Sequence, residues 1–347
     1  STLTNGKFYI GGNCAFNNYR FHASGSHEVI LNGTEKQTVS FSNAGSYFNK
    51  VTFNNTSEEG IYIATALNAN ETINQNGCKV TFADGGSMGF TLTEDKVIEG
   101  DYCLSIGTLD LNGHNLTING DFIQSGGEVN INGGTLNVNG NYQIQTKKTA
   151  INGIISYSYS TGYLIMTNPD DCVSVTGDFI MGSTQDHRNR LTAGTLSIKG
   201  NFEQQSHSPY NFSASGTHKV IFNGTEKQAI TFATQNASNC YFNNVEINNL
   251  NGVSLNSNIF INGSITDLTN TVTGTGYAYI TKLSQIVDGN FSGNIYLNNS
   301  SNNQDIYMNN NITVGNFICS FIHLNGFQLS ANNITINRVL YVESGIL

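Results

Sequence analysis

A chain of 347 residues with 38% hydrophobic and only 11% charged side chains, 37 Gly, 2 Pro and no Trp is not disordered, since disorder needs high charge and few β-branched residues. Nor is it helical, because its abundance of Gly, Asn, Thr and Ser penalises helix interiors. The formal net charge of −9 with only 15 basic residues excludes the concentrated cationic face of a nucleic-acid binder.

The first element, Leu3 to Asn13, ends in the apolar run Phe8-Tyr9-Ile10 and closes on Gly12. Ala23-Ser24-Gly25-Ser26-His27-Glu28-Val29-Ile30-Leu31 follows as a strand and runs into the corner Asn32-Gly33-Thr34, after which Glu35-Lys36-Gln37, like Glu226-Lys227-Gln228 farther on, reads as solvated corner residues. Tyr47-Phe48-Asn49 opens another element. Farther on, a phrase becomes strict: apolar, any, Ile or Val, any, Gly, Asn or Asp, aromatic. It reads Leu116-Thr117-Ile118-Asn119-Gly120-Asp121-Phe122, Leu136-Asn137-Val138-Asn139-Gly140-Asn141-Tyr142, Val173-Ser174-Val175-Thr176-Gly177-Asp178-Phe179 and Leu196-Ser197-Ile198-Lys199-Gly200-Asn201-Phe202. Alternate positions put Leu and Ile on one face of a strand. The Asn-Gly or Thr-Gly pair supplies residues tolerant of positive φ for a corner, and the aromatic residue re-enters the interior. Looser copies occur around Gly12, Gly263, Gly289 and Gly315, and at Ile334-Thr335-Ile336-Asn337-Arg338.

A strand-and-turn unit recurring every ~20 to 26 residues buries its apolar face only when the next unit stacks on it. The expected fold is therefore all-β: one continuous, elongated parallel β-solenoid over 1–347, of right-handed β-helix type. It should hold about fifteen coils, with the gaps Gly140 to Gly177 and Gly200 to Gly263 counted as two and three turns. Stacking should also align Asn, Thr and Ser into amide ladders. A larger duplication lies over this period. Leu3–Asn13 matches Leu191–Asn201, Ala23–Gln37 matches Ala214–Gln228, and Tyr47-Phe48-Asn49 matches Tyr241-Phe242-Asn243. The modules are expected at about 3–190 and 191–347, the second shortened, since Thr161-Gly162-Tyr163 returns as Thr275-Gly276-Tyr277 at a smaller offset.

The GTLxVxGN[FY] phrase and the ASGxHxVIxNGTEKQ segment resemble repeats of large secreted or surface-attached bacterial proteins of β-helical, adhesin-like type. The resemblance implies an extracellular, repetitive, non-enzymatic scaffold and transfers no catalytic residue. The function expected on this basis is a stalk, surface-layer or fibre-forming element. Its partners would be a second copy stacked end to end, flanking domains of a longer chain, or surface glycans. No apolar run reaches the length of a membrane-spanning helix, and no charged-then-apolar leader precedes Ser1, so the numbering is expected to start at a mature or excised end.

Two other functions are weighed. Tyr157 and Tyr159 alternate with serines, Tyr163 follows, and Tyr277 and Tyr279 form a later pair; rings facing outward would make a platform for sugar rings and hence a polysaccharide-binding module. Ile155 shares their parity, which argues for an inward face instead. A β-helical polysaccharide lyase or hydrolase would draw on Asp170, Asp171, Asp186, His187 and Arg188, the one concentrated polar stretch. No Walker loop, dinucleotide fingerprint or nucleophile elbow is present. His27 and His218 are equivalent by duplication and are read as structural. No cofactor or metal is expected. The six cysteines, Cys14, Cys78, Cys103, Cys172, Cys240 and Cys319, are too far apart for a zinc knuckle and read as buried thiols, a disulfide between stacked coils being the alternative.

Overall fold

In the computed structural model the chain is nearly all β, about 2% helical. It divides into two compact units, Ser1–Gln185 and Asp186–Leu347. The structure describes residues 3–341 apart from 18–20, 43–45, 66, 68, 75–77, 83–86, 90, 99, 150–154, 235–238, 299–307 and 309. Each unit is built of parallel coils, and together they hold about 13 turns of β-solenoid.

One coil of the first unit shows the plan. Asn115–Ile118 forms the first face, Phe122–Gln124 the second and Glu128–Asn130 the third, and Thr135–Val138 returns to the first. Strands of one face pair parallel and in register with those of the next coil, so like residues form columns. Leu116 sits beside Leu136 and then Val173, and Ile118 beside Val138 and Val175, all six buried. On the second face Phe122, Tyr142 and Phe179 make another column, with ring centroids 4.6 Å apart for the first pair and 5.4 Å for the second. Period-two alternation is thus converted into an apolar interior, each coil covering the last.

The turn count differs from the expected fifteen for a physical reason. Thr135–Val138 pairs directly with Cys172–Val175, so the stretch between Gly140 and Gly177 is one turn and not two. The surplus residues leave the coil: Tyr142–Thr149 continues past the second face and pairs antiparallel with Ile155–Tyr159. Gly263 likewise belongs to a different corner from Gly200. It lies between Ile259–Phe260 on the third face and Ile265–Asp267 on the first, whereas Gly200 separates first-face from second-face strands, Thr195–Ile198 and Phe202–Gln204.

Gly120, Gly140 and Gly177 are not in the positive-φ region expected of them. Their need for glycine is space: a Cβ would lie 2.3, 2.5 and 2.4 Å from Oδ1 of Asp101, Asp121 and Asn141 in the preceding coil. Those side chains must be there, because Asp101 Oδ1 accepts from Asp121 N, Asp121 Oδ1 from Asn141 N and Asn141 Oδ1 from Asp178 N, at 2.9, 2.8 and 2.8 Å. The Gly-Asx pair of the phrase is therefore one device, an acidic or amide side chain bonding the next coil over a residue with no side chain. Positive φ occurs at the other two corners, at Gly107 and Gly127 after the second face and at Asn112-Gly113 and Asn132-Gly133 after the third. The expected amide ladders are present, with Asn139 donating to Asn119 at 2.7 Å, Asn316 to Asn294 at 2.7 Å and Asn333 to Asn316 at 2.8 Å.

The interior of the second unit is aromatic. Phe202 is surrounded by Phe242, Phe212, Phe232 and Phe222, with centroids at 4.9, 5.0, 5.2 and 6.4 Å. In the first unit Phe16, Phe21, Phe41 and Phe48 form the counterpart. Among the described residues no helix is long and apolar enough to cross a membrane.

Candidate functional site

The repeated Asn-Gly-Thr-Glu-Lys-Gln segments separate into two roles. Glu35 and Lys36, like Glu226 and Lys227, are exposed, but Gln37 and Gln228 are each only 1% exposed, which corrects their reading as solvated corner residues. Gln37 Oε1 accepts from Gly33 N at 2.7 Å and from Asn55 Nδ2 at 2.9 Å, while Nε2 donates to Ile10 O and Gly12 O at 2.8 and 2.9 Å. Gln228 repeats this with Gly224 N, Asn249 Nδ2, Ile198 O and Gly200 O. Gln285 donates in the same way to Ile261 O and Gly263 O. A corner bends backbone groups out of the ladder, and buried backbone groups must be paired; an amide carries both donor and acceptor and serves carbonyl and N–H together.

Both duplicated histidines are buried, His27 at 5% and His218 at 0% exposure. His27 lies 5.9 Å from the Phe21 ring and His218 6.2 Å from Phe212, and both ring nitrogens of His218 lack a hydrogen-bond partner. Burial holds the His218 pKa down at about 4. Since the folded value lies below the unfolded 6.5, the unfolded chain takes up the proton first. Stability is then lost as pH falls from about 6.5 to about 4, by at most about 3 kcal/mol from this group. The melting temperature of the native protein should fall more steeply over that window than that of His218→Phe; parallel curves would show that His218 does not contribute.

The five residues weighed for catalysis are divided between the two units, Asp170 and Asp171 in the first and Asp186, His187 and Arg188 in the second. Asp171, 2% exposed, accepts from Gly133 N at 2.6 Å on Oδ1 and from Thr167 N and Asn168 N at 2.8 and 2.9 Å on Oδ2. Both oxygens are thus engaged by backbone. Asp170 is exposed on the same turn. In the second unit His187 is fully buried. Asp186 accepts from Arg188 Nε at 2.9 and 3.1 Å as well as from Nη2, and this bonding lowers its pKa. The Arg188 guanidinium also lies 3.8 Å from the Tyr210 ring centroid. Asp186, Arg188, Asn189, Ser213, Ser215 and Tyr241 line an open cleft of about 320 Å³. Sequence reasoning found Asp186 and Arg188 by their density of polar groups; it missed Ser213, Ser215 and Tyr241, which come from later coils.

The tyrosines expected to form a platform occupy three settings. Tyr157 and Tyr159 stand on the antiparallel hairpin, 44% and 55% exposed beside Ile155 at 50%, so the parity with Ile155 marks an outward face and not an inward one. Tyr163 is half-buried on the third face and its hydroxyl donates to Gln185 Oε1 at 2.7 Å. Tyr277 is half-buried. Tyr279 lies between Phe260 and Tyr296, with centroids at 4.7 and 4.5 Å and the latter pair within 15° of parallel. Its ring faces, which a sugar would need, are covered by those neighbours.

No disulfide joins the six cysteines, four of which are buried. Burial raises the pKa of Cys14 to about 11 and of Cys319 to about 12, which suppresses the reactive thiolate. Among the described residues no group of three or more His, Cys, Asp or Glu is placed to hold a metal ion. Comparisons with protein families, curated proteins and solved structures find no match to this chain.

Proposed function

We propose that the chain is a non-enzymatic structural element of a bacterial surface protein, a stalk, surface-layer or adhesive fibre component held outside the cell. The observation that supports this is the destination of the buried polar side chains. Gln37, Gln228 and Gln285 bond the backbone of the preceding coil. Asp171 and Asp267 bind backbone N–H groups within and between turns. These buried polar groups join one coil to the next, and such joining confers rigidity and protection of the backbone. A second copy stacked end to end, or flanking domains of a longer chain, are the partners in this reading.

Digestion with proteinase K and incubation with a broad polysaccharide panel, with and without calcium, test it together. Large strand-bearing fragments should outlast a globular control while every polysaccharide stays intact. Rapid loss of both units, or cleavage of any polysaccharide, overturns the proposal.

A second reading, a polysaccharide-binding module, draws on the exposure of Tyr157 and Tyr159 on the hairpin. It requires that binding to an immobilised polysaccharide be lost on joint replacement of both by alanine.

A further inference from the structure

The two copies of the duplicated segment differ at one point on the third face. In the first unit His22 pairs in register with Tyr47 of the next coil, and their rings stack at 4.9 Å and 21°. In the second unit the corresponding pair is Ser213 with Tyr241. The small serine leaves no ring there, and its Oγ donates to Asn239 O. The aromatic surface that His22 covers in one copy therefore borders the cleft in the other, together with Asp186, Arg188, Asn189 and Ser215.

We propose that this cleft binds a neutral pyranose sugar, one ring of a larger glycan, stacked on Tyr241 and hydrogen-bonded by the polar rim. An aromatic face beside a few convergent polar groups is the composition that recognises a sugar, whose C–H face is apolar and whose edge carries hydroxyls. The Asp186 carboxylate accepts from hydroxyls, and charge-assisted bonds of this kind are the stronger ones. Asn189, Ser215 and the remaining Arg188 N–H groups complement it. Arg188 holds Asp186 through Nε and Nη2 and rests on Tyr210, so the rim is ordered before a ligand arrives. The sugar is neutral because the cationic charge is already matched within the cleft, and an acidic sugar would meet the Asp186 carboxylate on a chain of net charge −9. A volume of about 320 Å³ lies at the small end of the ~300 to 1,000 Å³ range of ligand pockets, which suits a single ring entered from an open side. This assignment rests neither on the mechanical reading nor on the hairpin tyrosines: a protease-resistant protein that binds no sugar would refute it alone.

The test is a glycan array of neutral oligosaccharides ending in glucose, galactose, mannose or N-acetylglucosamine alongside acidic ones ending in uronic or sialic acid, with calorimetry on the array hits. Native protein should bind at least one saturably. Ser213→His, which rebuilds the ring pair of the first unit, and Tyr241→Ala should each weaken binding roughly tenfold or more. Asp186→Asn should weaken it with little change in shape, and Tyr9→Ala, on an exposed ring of the first unit, should leave it unchanged. Circular dichroism and thermal unfolding establish that each variant is folded; should Ser213→His fail to fold, Tyr241→Ala and Asp186→Asn give the same readout. No saturable binding by the native protein, unaltered binding in Tyr241→Ala, or preference for acidic sugars overturns the proposal.

Discussion

Replacing Phe202 by alanine is expected to destabilise the second unit by about 3–5 kcal/mol, the range for emptying a large aromatic site in a core. The ring is fully buried and touches four other phenylalanines, three of them within 5.2 Å. Its neighbours come from different coils and are pinned by their own strand registers, Phe202 beside Ile230 and Ile198 beside Phe222. They cannot close the void without breaking ladder bonds, which places the cost high in the range. Amide hydrogen exchange is the appropriate measurement, because long repeat arrays need not unfold in one step. Strand amides of Phe202–Gln204 and Gln228–Phe232 should lose most of their protection, while those of Asn115–Ile118, distant in the chain and part of the first unit, should not change. Equal loss in both places would mean that the two units unfold as one; no loss would mean that the cluster does not carry the core.

Replacing Gln228 by leucine is expected to cost about 4 kcal/mol, although the volume is nearly preserved. Four bonds disappear, to Gly224 N, Asn249 Nδ2, Ile198 O and Gly200 O. Each buried polar group left unsatisfied costs roughly 1–3 kcal/mol, and neighbouring groups relax enough that the sum is not reached. Gln228→Glu separates hydrogen bonding from shape. The carboxylate keeps the acceptor for Gly224 N but sets a second oxygen against two carbonyls, so the variant should be least stable at neutral pH. Protonation restores one donor, which the folded state favours; stability should therefore recover as pH falls and be lost again as it rises. Lys227→Ala, one residue away and exposed, should stay within about 0.5 kcal/mol of the native protein. Thermal unfolding of the three variants at neutral and mildly acid pH decides the matter. A leucine variant as stable as the native protein would show that water replaces the amide at this corner.

Local chemistry carried much of the fold. The apolar alternation of Leu116-Thr117-Ile118 and its copies places the columns Leu116, Leu136, Val173 correctly, because residue parity alone decides which face of a strand is covered. Other features were hidden by the same locality. Gln37 looks solvated beside Glu35 and Lys36, since what buries it is the carbonyls of Ile10 and Gly12 in the previous coil. The glycine of the repeated phrase looks like a conformational requirement, whereas the side chain of the coil below imposes it. The hairpin at Tyr142–Tyr159 disappears into a turn count when every gap is divided by one period. Of the candidate cleft, Asp186 and Arg188 were visible as neighbours in the chain, but Tyr241 was not, because it reaches them from a later coil.

By itself the sequence determined the strand class, the stacking of coils, the apolar columns and the amide ladders. All of these follow from a period of two inside a period of about twenty, and a repeat in one dimension has few other ways to bury its apolar face. Tertiary structure alone decided which chain segment leaves the coil as a hairpin, which corner side chain turns inward, and that Ser213 stands where His22 covers a tyrosine. Those outcomes depend on vertical register between residues some 25 positions apart, and register is set by the whole stack, not by any window of it.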